Sequence, residues 1–363
     1  MVNTDFERID KLRTLGYTWD EISEEGFTNT DRKMYYGWKH AQDDFENLTS
    51  KKLIDKVSKQ MQNVRLAKKQ LGIERSINNE QIIDISLRET FDDQMLRALE
   101  NLPKVKLKKH TPIKTGNKEY MITLADLHYT GNDNEFDIIE RAYNKILKLI
   151  EEKDIKKLHL VEFGDVIEGA SLRTSQLKGI KKGMVKQTLE VAEAYVKLLE
   201  KLHQEIELVF YSVDSSNHTQ LRNMGTRQNE LIDEDLMLIF NEFIQRRLPT
   251  LTMKTGKDIT IDLLGYKLYI AHGHLFKGEN YINKLNAAKH INYDFYFFGH
   301  FHHFRAKDLN SNKTYDKRLF FVPALTEQET SYEEDRLLSS VSGIGYYEFE
   351  KDKGNILAQK ITI

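Results

Sequence analysis

Residues 120–128 read YMITLADLH, an apolar run that leads directly into an aspartate and a histidine. Residues 158–165 read LHLVEFGD, in which a second apolar run ends in a glycine and an aspartate. Short apolar runs rich in β-branched and aromatic residues, bounded by polar or turn residues, are typical of strands. The two stretches therefore predict strands that each deliver an acid at the carboxyl end.

Amphipathic patterns separate the apolar runs of residues 118–363. The predicted strands are 120–124, 158–163 and 206–213, and the predicted helices are 136–151, 185–202 and 230–243. This βαβαβα order indicates an α/β domain. Further strands are predicted in the last third, as if a second sheet packs on the first: a hairpin over 259–270 broken at Gly265, then 295–298, 319–322, 345–350 and 356–363.

Three later strands also end in polar residues that can bind metal or substrate. The motifs are Asn217-His218, His272-Gly273-His274 and Gly299-His300-Phe301-His302. In α/β sheets the ligand crevice lies outside the carboxyl ends of the strands. The spacing in Asp-x-His and His-x-His predicts that both side chains of a pair leave the same side of an extended segment. Polar loop residues that merely cap helices would not explain all five strand ends together.

Histidine is concentrated at these motifs. Seven of the twelve histidines of the chain fall there: His128, His218, His272, His274, His300, His302 and His303. Cysteine is absent, which excludes thiolate zinc sites, disulfides and cysteine nucleophiles. A metal would therefore take His, Asp, Glu or Asn ligands, which suit Mn, Fe, Zn or Mg.

The series Asp-x-His, Gly-Asp, Asn-His, His and Gly-His-x-His resembles the calcineurin-like metallophosphoesterase superfamily over roughly residues 118–363. The resemblance implies a four-layered α/β-β/α sandwich that hydrolyses phosphate esters with a hydroxide shared by two divalent ions. By this resemblance Asp165 bridges the ions and His218 stays off them, facing the phosphate as general acid. The implied ligands are Asp126, His128, Asp165 and His302 for one ion, and Asp165, Asn217, His272 and His300 for the other. Manganese is the expected metal, with Fe, Zn, Ni or Co left open.

Two departures from the superfamily pattern bear on the site. The usual Gly-Asn-His followed by an acid is here Ser216-Asn217-His218-Thr219, which changes the support for His218. Glu168 follows Asp165 in a Gly-Asp-x-x-Glu frame and is expected to support the ligands.

Four neighbouring residues have less certain roles. His272 is preferred over His274 as the ligand, and His274 is expected to contact substrate. Arg222 either clamps a phosphate through its bidentate fork or is structural. His303 is interpreted as an ordinary neighbour.

Residues 1–102 are predicted to be helical, and 103–117 to form a basic linker. A helix-turn-helix unit is predicted over about residues 1–47. Its signals are a short helix ending at Gly16, a capping box at Thr18 and Glu21, and a turn at Gly26. A longer helix over 51–75 carries eight Lys or Arg against two acids. One interpretation is DNA binding through these residues and the linker: Lys51, Lys52, Lys56, Lys59, Arg65, Lys68, Lys69, Lys104, Lys106, Lys108 and Lys109.

The rival interpretation of the N-terminal part is an oligomerisation or packing domain whose lysines form its solvated face. Acids crowd the second helix, at Asp20, Glu21, Glu24 and Glu25, which counts against DNA binding there. The aromatic residues Trp19, Tyr35, Tyr36 and Trp38 are interpreted as a small core rather than a base-stacking platform.

DNA is the leading expected substrate, by analogy with the DNA repair exonuclease branch of the superfamily. A helix-turn-helix unit beside such a domain is also typical of phage or mobile-element proteins. The alternatives are a phosphodiesterase or phosphatase acting on cyclic nucleotides or other small molecules, and a catalytically silent DNA-associated scaffold. No signal sequence or membrane span is evident, so a cytoplasmic protein without membrane contact is expected.

Overall fold

The computed structural model describes residues 2–45, 58–63, 99, 102–111, 116–170, 179–221, 235–311, 314–326 and 341–363. The chain forms two compact units, Met1–Glu80 and Gln81–Ile363. Within the described residues, no helix is both long and apolar enough to cross a membrane.

The first unit is helical where it is described. Its helices are α1 (Val2–Thr14), α2 (Trp19–Glu24) and α3 (Asn29–Phe45). The predicted capping box is confirmed, because Thr18 and Glu21 bond each other's backbone N–H groups at the start of α2. Phe6, Ile9 and Tyr35 are buried with Ile22, and Trp19 and Trp38 pack against them. Most of the aromatic cluster is thus a core, while Tyr36 stays 44% exposed.

The second unit contains eleven described strands in two sheets, together with four longer helices. The strands are β1 (Lys118–Leu124), β2 (Lys157–Glu162), β3 (Glu207–Val213), β4 (Thr252–Gly256), β5 (Asp258–Leu263), β6 (Tyr266–Ala271), β7 (Phe295–Phe298), β8 (Arg305–Ser311), β9 (Asp316–Phe321), β10 (Gly343–Glu350) and β11 (Gly354–Thr362). The helices are α4 (Asp137–Lys153), α5 (Met184–Glu205), α6 (Leu236–Arg247) and α7 (Glu279–Lys289).

The two sheets face each other across one apolar core. The first has the order β11-β10-β1-β2-β3-β4, with β1 to β4 parallel, and the second has the order β5-β6-β7-β9-β8. Side chains from both sheets interdigitate, among them Val161, Val209, Phe297 and Phe320. Ile282 and Leu285 of α7 pack on the outer face of the second sheet. The predicted α/β fold of two sheets flanked by helices is confirmed, as is the presence of N-terminal helices.

Three elements escaped sequence prediction for a common reason. Strands β4 and β8 lie at sheet edges, and β4 carries the largely polar sequence TMKTG, so neither shows an apolar run. Helix α7 buries only Ile282 and Leu285, which is too few apolar residues for a clear helical pattern. Helix α6 begins at Leu236 with Asp235 as its N-cap, later than the predicted 230, and residues 230–234 lie outside the described residues.

Residues 103–111, from the segment predicted as a linker, belong to the second unit and bond the ends of its helices α5 and α6. The N–H of Val105 donates to the carbonyl oxygen of Arg247 at 2.8 Å, and His110 bonds the carbonyl oxygen of His203. The lysines at 104, 106, 108 and 109 are exposed. The predicted boundaries at 102 and 117 stay a prediction, because 81–98 and 112–115 lie outside the described residues.

A buried ion pair joins α5 to α6 and provides a test of the packing. Nη1 of Arg247 lies 2.6 Å from Oε2 of Glu193, with side chains 8% and 11% exposed. We expect Arg247→Met to lower the free energy of unfolding by about 3–5 kcal/mol, because it leaves the carboxylate of Glu193 buried and unpaired. Urea denaturation followed by far-UV circular dichroism measures the loss.

The neighbouring Arg246 is a matched control. It pairs with Glu242 on the same helix, with side chains 32% and 35% exposed, so Arg246→Met should cost less than about 1 kcal/mol. The double variant Glu193→Met, Arg247→Met should recover most of the loss. If both variants lost the same free energy of unfolding, the buried pair would contribute no more to stability than the exposed one.

Candidate metal centre

The polar residues that follow five strand ends converge on one place between the two sheets. The loops after β1 and β2 bond each other, since the N–H of Asp126 donates to the oxygen of Gly164 and that of His128 to the oxygen of Asp165. The N–H of His300, after β7, donates to Oδ2 of Asp126 at 3.0 Å. Loops far apart in sequence are therefore held together by their own backbone groups.

The backbone at the site differs from the extended form that the sequence spacing suggested. Five site residues have left-handed φ values between 49° and 68°: Asp126, His128, Asp165, His300 and His302. Non-glycine residues adopt this region at an energetic cost and mostly where surrounding structure enforces it. The prediction of extended Asp-x-His and His-x-His segments is wrong, because left-handed turns aim these side chains inward.

Gly164 allows the loops after β2 and β3 to approach. Its φ is +93°, and a Cβ there would lie 2.7 Å from Cβ of Ser216. The loop that carries Asn217 and His218 therefore lies against the loop that carries Asp165.

The first donor group consists of Asp126, His128 and His302. The Nε2 atoms of His128 and His302 are 3.1 Å apart, and Oδ1 of Asp126 lies 3.7 Å from Nε2 of His302. Nδ1 of His128 bonds Oε2 of Glu168 at 2.9 Å, and this carboxylate can only accept, so the proton sits on Nδ1. The lone pair of Nε2 then faces the other two donors, as a metal ligand requires.

The second donor group consists of Asp165, His272 and His300, with Asn217 beside it. Nδ1 of His272 donates to the carbonyl oxygen of Phe163 at 2.8 Å, which leaves the Nε2 lone pair directed inward. That Nε2 lies 2.9 Å from Oδ2 of Asp165 and 2.8 Å from Oδ1 of Asn217. Oδ2 of Asp165 is buried and makes no hydrogen bond within the described residues. Three electron-pair donors face one another here, which fits a divalent cation.

Asp165 connects the two groups. It belongs to a third set of close donor atoms with His128 and His218, in addition to the set with His272 and His300. All the predicted ligands are thus brought together, in the two groupings that the resemblance implied. Their roles as ligands, and that of Asp165 as a bridge, stay predictions.

The buried carboxylates and the imidazoles of the centre shift one another's pKa values. Burial alone would raise the pKa of Asp165, but the charges of His272 and His218 outweigh it and hold this pKa well below its ordinary value. Burial would lower the pKa of His272, yet the carboxylates of Asp165 and Asp126 raise it to about 9. Burial together with the charge of His272 lowers the pKa of His300 to about 3 and keeps that imidazole neutral.

His218 lies at the edge of the centre, and two carboxylates influence its charge. Its N–H donates to Oδ1 of Asp165 at 2.8 Å, and its Nδ1 donates to the carbonyl oxygen of Glu168, also at 2.8 Å. Burial would lower its pKa, but Asp165 and Glu168 raise it to about 9. Glu168 therefore supports both His128 and His218, through its side chain and its carbonyl oxygen.

A buried hydroxyl and carboxylate network replaces the missing acid after Asn217-His218. Ser216 Oγ accepts from the N–H of Asp165 at 2.9 Å and lies 2.7 Å from Oγ1 of Thr219. Oγ1 of Thr219 in turn donates to Asp235, whose other oxygen accepts from the N–H of Ser216 at 3.2 Å. Sequence analysis missed Asp235, because nothing in a single sequence links it to residue 219.

Glu162 was missed as well, although an acid within the apolar strand LHLVEF is a detectable signal. It is fully buried beside the centre, where it accepts from the N–H of Gly164 at 2.9 Å and from the hydroxyl of Tyr195. Burial raises its pKa to about 8.

The remaining predicted residues occupy different positions. The ring centroid of His274 lies 5.4 Å from that of His272 and 6.5 Å from that of His300, next to the donor groups. His303 is exposed and bonds the carbonyl oxygen of Phe301. Arg222 lies outside the described residues.

Comparison with known proteins gives distant likenesses. No family model matches the chain. The uncharacterized SPbeta prophage-derived protein YonJ of Bacillus subtilis (strain 168) is 24% identical over 242 residues, covering 63% of this chain and 59% of YonJ. The chain thus spans less than two thirds of the length of the curated relative that it matches.

Solved structures with similar folds include three described as follows. A novel archaeal phosphodiesterase has 12% identity and a TM-score of 0.36, covering 67% of this chain and 99% of its own. Vps29 of Entamoeba histolytica with zinc has 12% identity and a TM-score of 0.32, covering 67% and 98%. A metallophosphoesterase of Sphaerobacter thermophilus has 15% identity and a TM-score of 0.30, covering 67% and 88%. At these values the likenesses carry no argument about chemistry, which rests on the residues of the site.

The network at Thr219 predicts a specific effect on metal binding. Thr219→Val keeps the shape of the side chain but removes the hydroxyl between Ser216 and Asp235, so the loop that presents Asn217 loses its anchor. We expect the affinity for Mn²⁺ to fall about 10- to 100-fold, the range for groups that support metal ligands. Isothermal titration calorimetry measures it.

Thr188→Val is the matched control. Thr188 is also buried, but its hydroxyl donates to the carbonyl oxygen of Met184 within α5, away from the loop that presents Asn217. This variant should bind Mn²⁺ as the unaltered protein does. Equal affinities in both variants would show that the Thr219 hydroxyl does not hold the loop.

Proposed function

We propose that the chain is a metal-dependent phosphoesterase of the calcineurin-like kind, which hydrolyses phosphodiesters with two divalent ions. The observation that carries the proposal is the pair of donor groups joined at Asp165, each with imidazole lone pairs directed at a buried carboxylate. Such sets of nitrogen and oxygen donors suit Mn, Fe, Zn, Ni or Co, and manganese is our choice for assays.

The residues of the site divide the chemical work. Two divalent ions, when bound, neutralise charge on the phosphoryl oxygens and make coordinated water acidic. Asp126, His128, Asp165, Asn217, His272, His300 and His302 would hold them. His218 can donate a proton from Nε2 to the leaving oxygen. Its Nδ1 bond to Glu168 keeps the ring in place.

For the substrate, we propose DNA. Support comes from the basic residues around 51–75 and from the exposed lysines at 104, 106, 108 and 109 of the second unit. Of the basic residues in 51–75, Lys59 is described and exposed; Lys51, Lys52, Lys56, Arg65, Lys68, Lys69 and Arg75 lie outside the described residues. The relative YonJ is prophage-derived, which agrees with the expectation of a phage or mobile-element protein.

A small-molecule phosphodiesterase is the second candidate, because a cavity adjoins the donor groups. In that case the N-terminal helices would serve assembly, for instance of a homo-oligomer. A catalytically silent scaffold is disfavoured, since every expected donor is present and correctly grouped.

One assay tests the activity and both substrate classes. Protein with Mn²⁺ is incubated with labelled single-stranded DNA, duplex DNA and bis-p-nitrophenyl phosphate. Asp165→Asn should abolish hydrolysis and weaken metal binding, because Asp165 belongs to the second donor group and also lies close to His128 of the first. His218→Ala should lower turnover about 10²- to 10⁴-fold and retain the metals.

The outcomes separate the proposals. DNA cleavage that Asp165→Asn abolishes supports a nuclease, while cleavage of the small ester alone supports the second candidate. Full activity of Asp165→Asn with its metals bound would refute the assignment of the site.

DNA binding is tested through its salt dependence. Reversing Lys56, Lys59 and Lys68 to Glu should weaken DNA binding and flatten the salt dependence of the affinity, by about 0.9 in log–log slope for each phosphate that the variant no longer neutralises. Fluorescence anisotropy with a labelled duplex measures both. Reversal of the exposed Lys148, Lys156 and Lys267 is the control, with side chains 70%, 62% and 47% exposed. Equal slopes in both triple variants would contradict DNA binding by the basic residues of 51–75.

A further inference from the structure

A cavity of about 310 Å³ opens beside the metal centre. His272 and His274 line it, and Nε2 of His272 faces Asp165 and Asn217 of the second donor group. The cavity therefore adjoins the second donor group, where the phosphoryl group of a substrate would lie under the proposed function. Its volume is near the lower end of the range for small-ligand sites.

Four aromatic residues line the cavity. They are Tyr269, Phe276, Tyr281 and Phe298. The ring centroid of Phe276 lies 4.7 Å from that of Phe298 and 5.8 Å from that of Tyr281, and the planes of the Phe276 and Tyr281 rings meet at 71°. Tyr269 and Phe298 are almost fully buried, whereas Phe276 and Tyr281 are half-buried. The half-buried ring of Phe276 packs on the buried ring of Phe298.

Polar residues also line the cavity. Ser215 and Asp258 are half-buried, and Lys257, which follows β4, is exposed. Asp258 is oriented by an ion pair with Lys289 at 2.7 Å. A flat, apolar group with hydrogen-bonding edges matches this combination of rings and polar groups better than an alkyl chain does.

We propose that this cavity binds the nucleobase of a nucleotide whose phosphate lies at the metal centre. The proposal rests on the phosphoesterase function proposed above and names its substrate class as nucleoside phosphodiesters. Bases stack on aromatic side chains with little regard to sequence, because every base has a π-face. The volume admits one nucleoside rather than a duplex, so a terminal or unpaired nucleotide is the form that fits.

Two esters with the same leaving group test the proposal. Thymidine 5′-(p-nitrophenyl phosphate) contains a base, and methyl p-nitrophenyl phosphate does not. The full chain with Mn²⁺ should show a higher kcat/KM for the thymidine ester. Tyr281→Leu should lower this kcat/KM about 5- to 150-fold, the range that base stacking spans. The same variant should keep the kcat/KM for the methyl ester within about twofold of that of the unaltered protein.

Two further variants distinguish an effect of the Tyr281 ring from a general effect on folding. Tyr281→Phe retains the ring and should keep most of the preference for the thymidine ester. Tyr143→Leu removes a half-buried tyrosine of α4, outside the cavity, and should leave the kcat/KM for both esters unchanged. If Tyr281→Leu lowered the kcat/KM for both esters alike, or for neither, the cavity would not be a base site.

Failure of the proposed function gives a different result. If the unaltered protein hydrolyses neither ester, calorimetry compares the binding of thymidine 5′-monophosphate with that of methyl phosphate. Tighter binding of the nucleotide, lost in Tyr281→Leu, would support the base site without the activity. Equal binding of the two probes would overturn the base site.

Discussion

Two carboxylates that are fully buried, Asp126 and Asp165, determine how the rest of the centre is arranged. A buried charge is costly unless it is paired or binds a metal. Backbone N–H groups of His300 and His218 compensate one side of these carboxylates, and imidazoles approach the other side. Because the loops after β1, β2, β3, β6 and β7 all contribute a group to this compensation, none of them can move independently.

The sandwich of two sheets makes this convergence sterically feasible. The parallel strands β1, β2 and β3 end at one edge of the first sheet, and β6 and β7 are parallel neighbours in the second. The shared core of Val161, Val209, Phe297 and Phe320 fixes the distance between the sheets. Left-handed backbone at five site residues then turns the side chains inward. The packing of the core offsets the cost of these conformations, which an isolated loop would not adopt.

The support of the site comes from residues that are distant in sequence. Glu168 orients His128 with its side chain and His218 with its carbonyl oxygen. Asp235 anchors Ser216 and Thr219, the two residues at which the sequence departs from the pattern that it resembles. A carboxylate from the start of α6 therefore lies beside the Asn-His loop. The loop that carries Asn217 and His218 is therefore held in place although Ser216 and Thr219 depart from that pattern.

The sequence by itself determined the two-sheet α/β fold, the hairpin at Gly265 and the set of candidate ligands, because apolar periodicity and strand-end motifs are local signals. It did not reveal β4, β8 and α7, whose stability comes from pairing and packing rather than from an apolar pattern. The tertiary structure alone decided the left-handed turns, the link between Thr219 and Asp235, and the aromatic cavity beside His272. Each of these depends on contacts between segments that are far apart along the chain, and such contacts leave no local pattern in a single sequence.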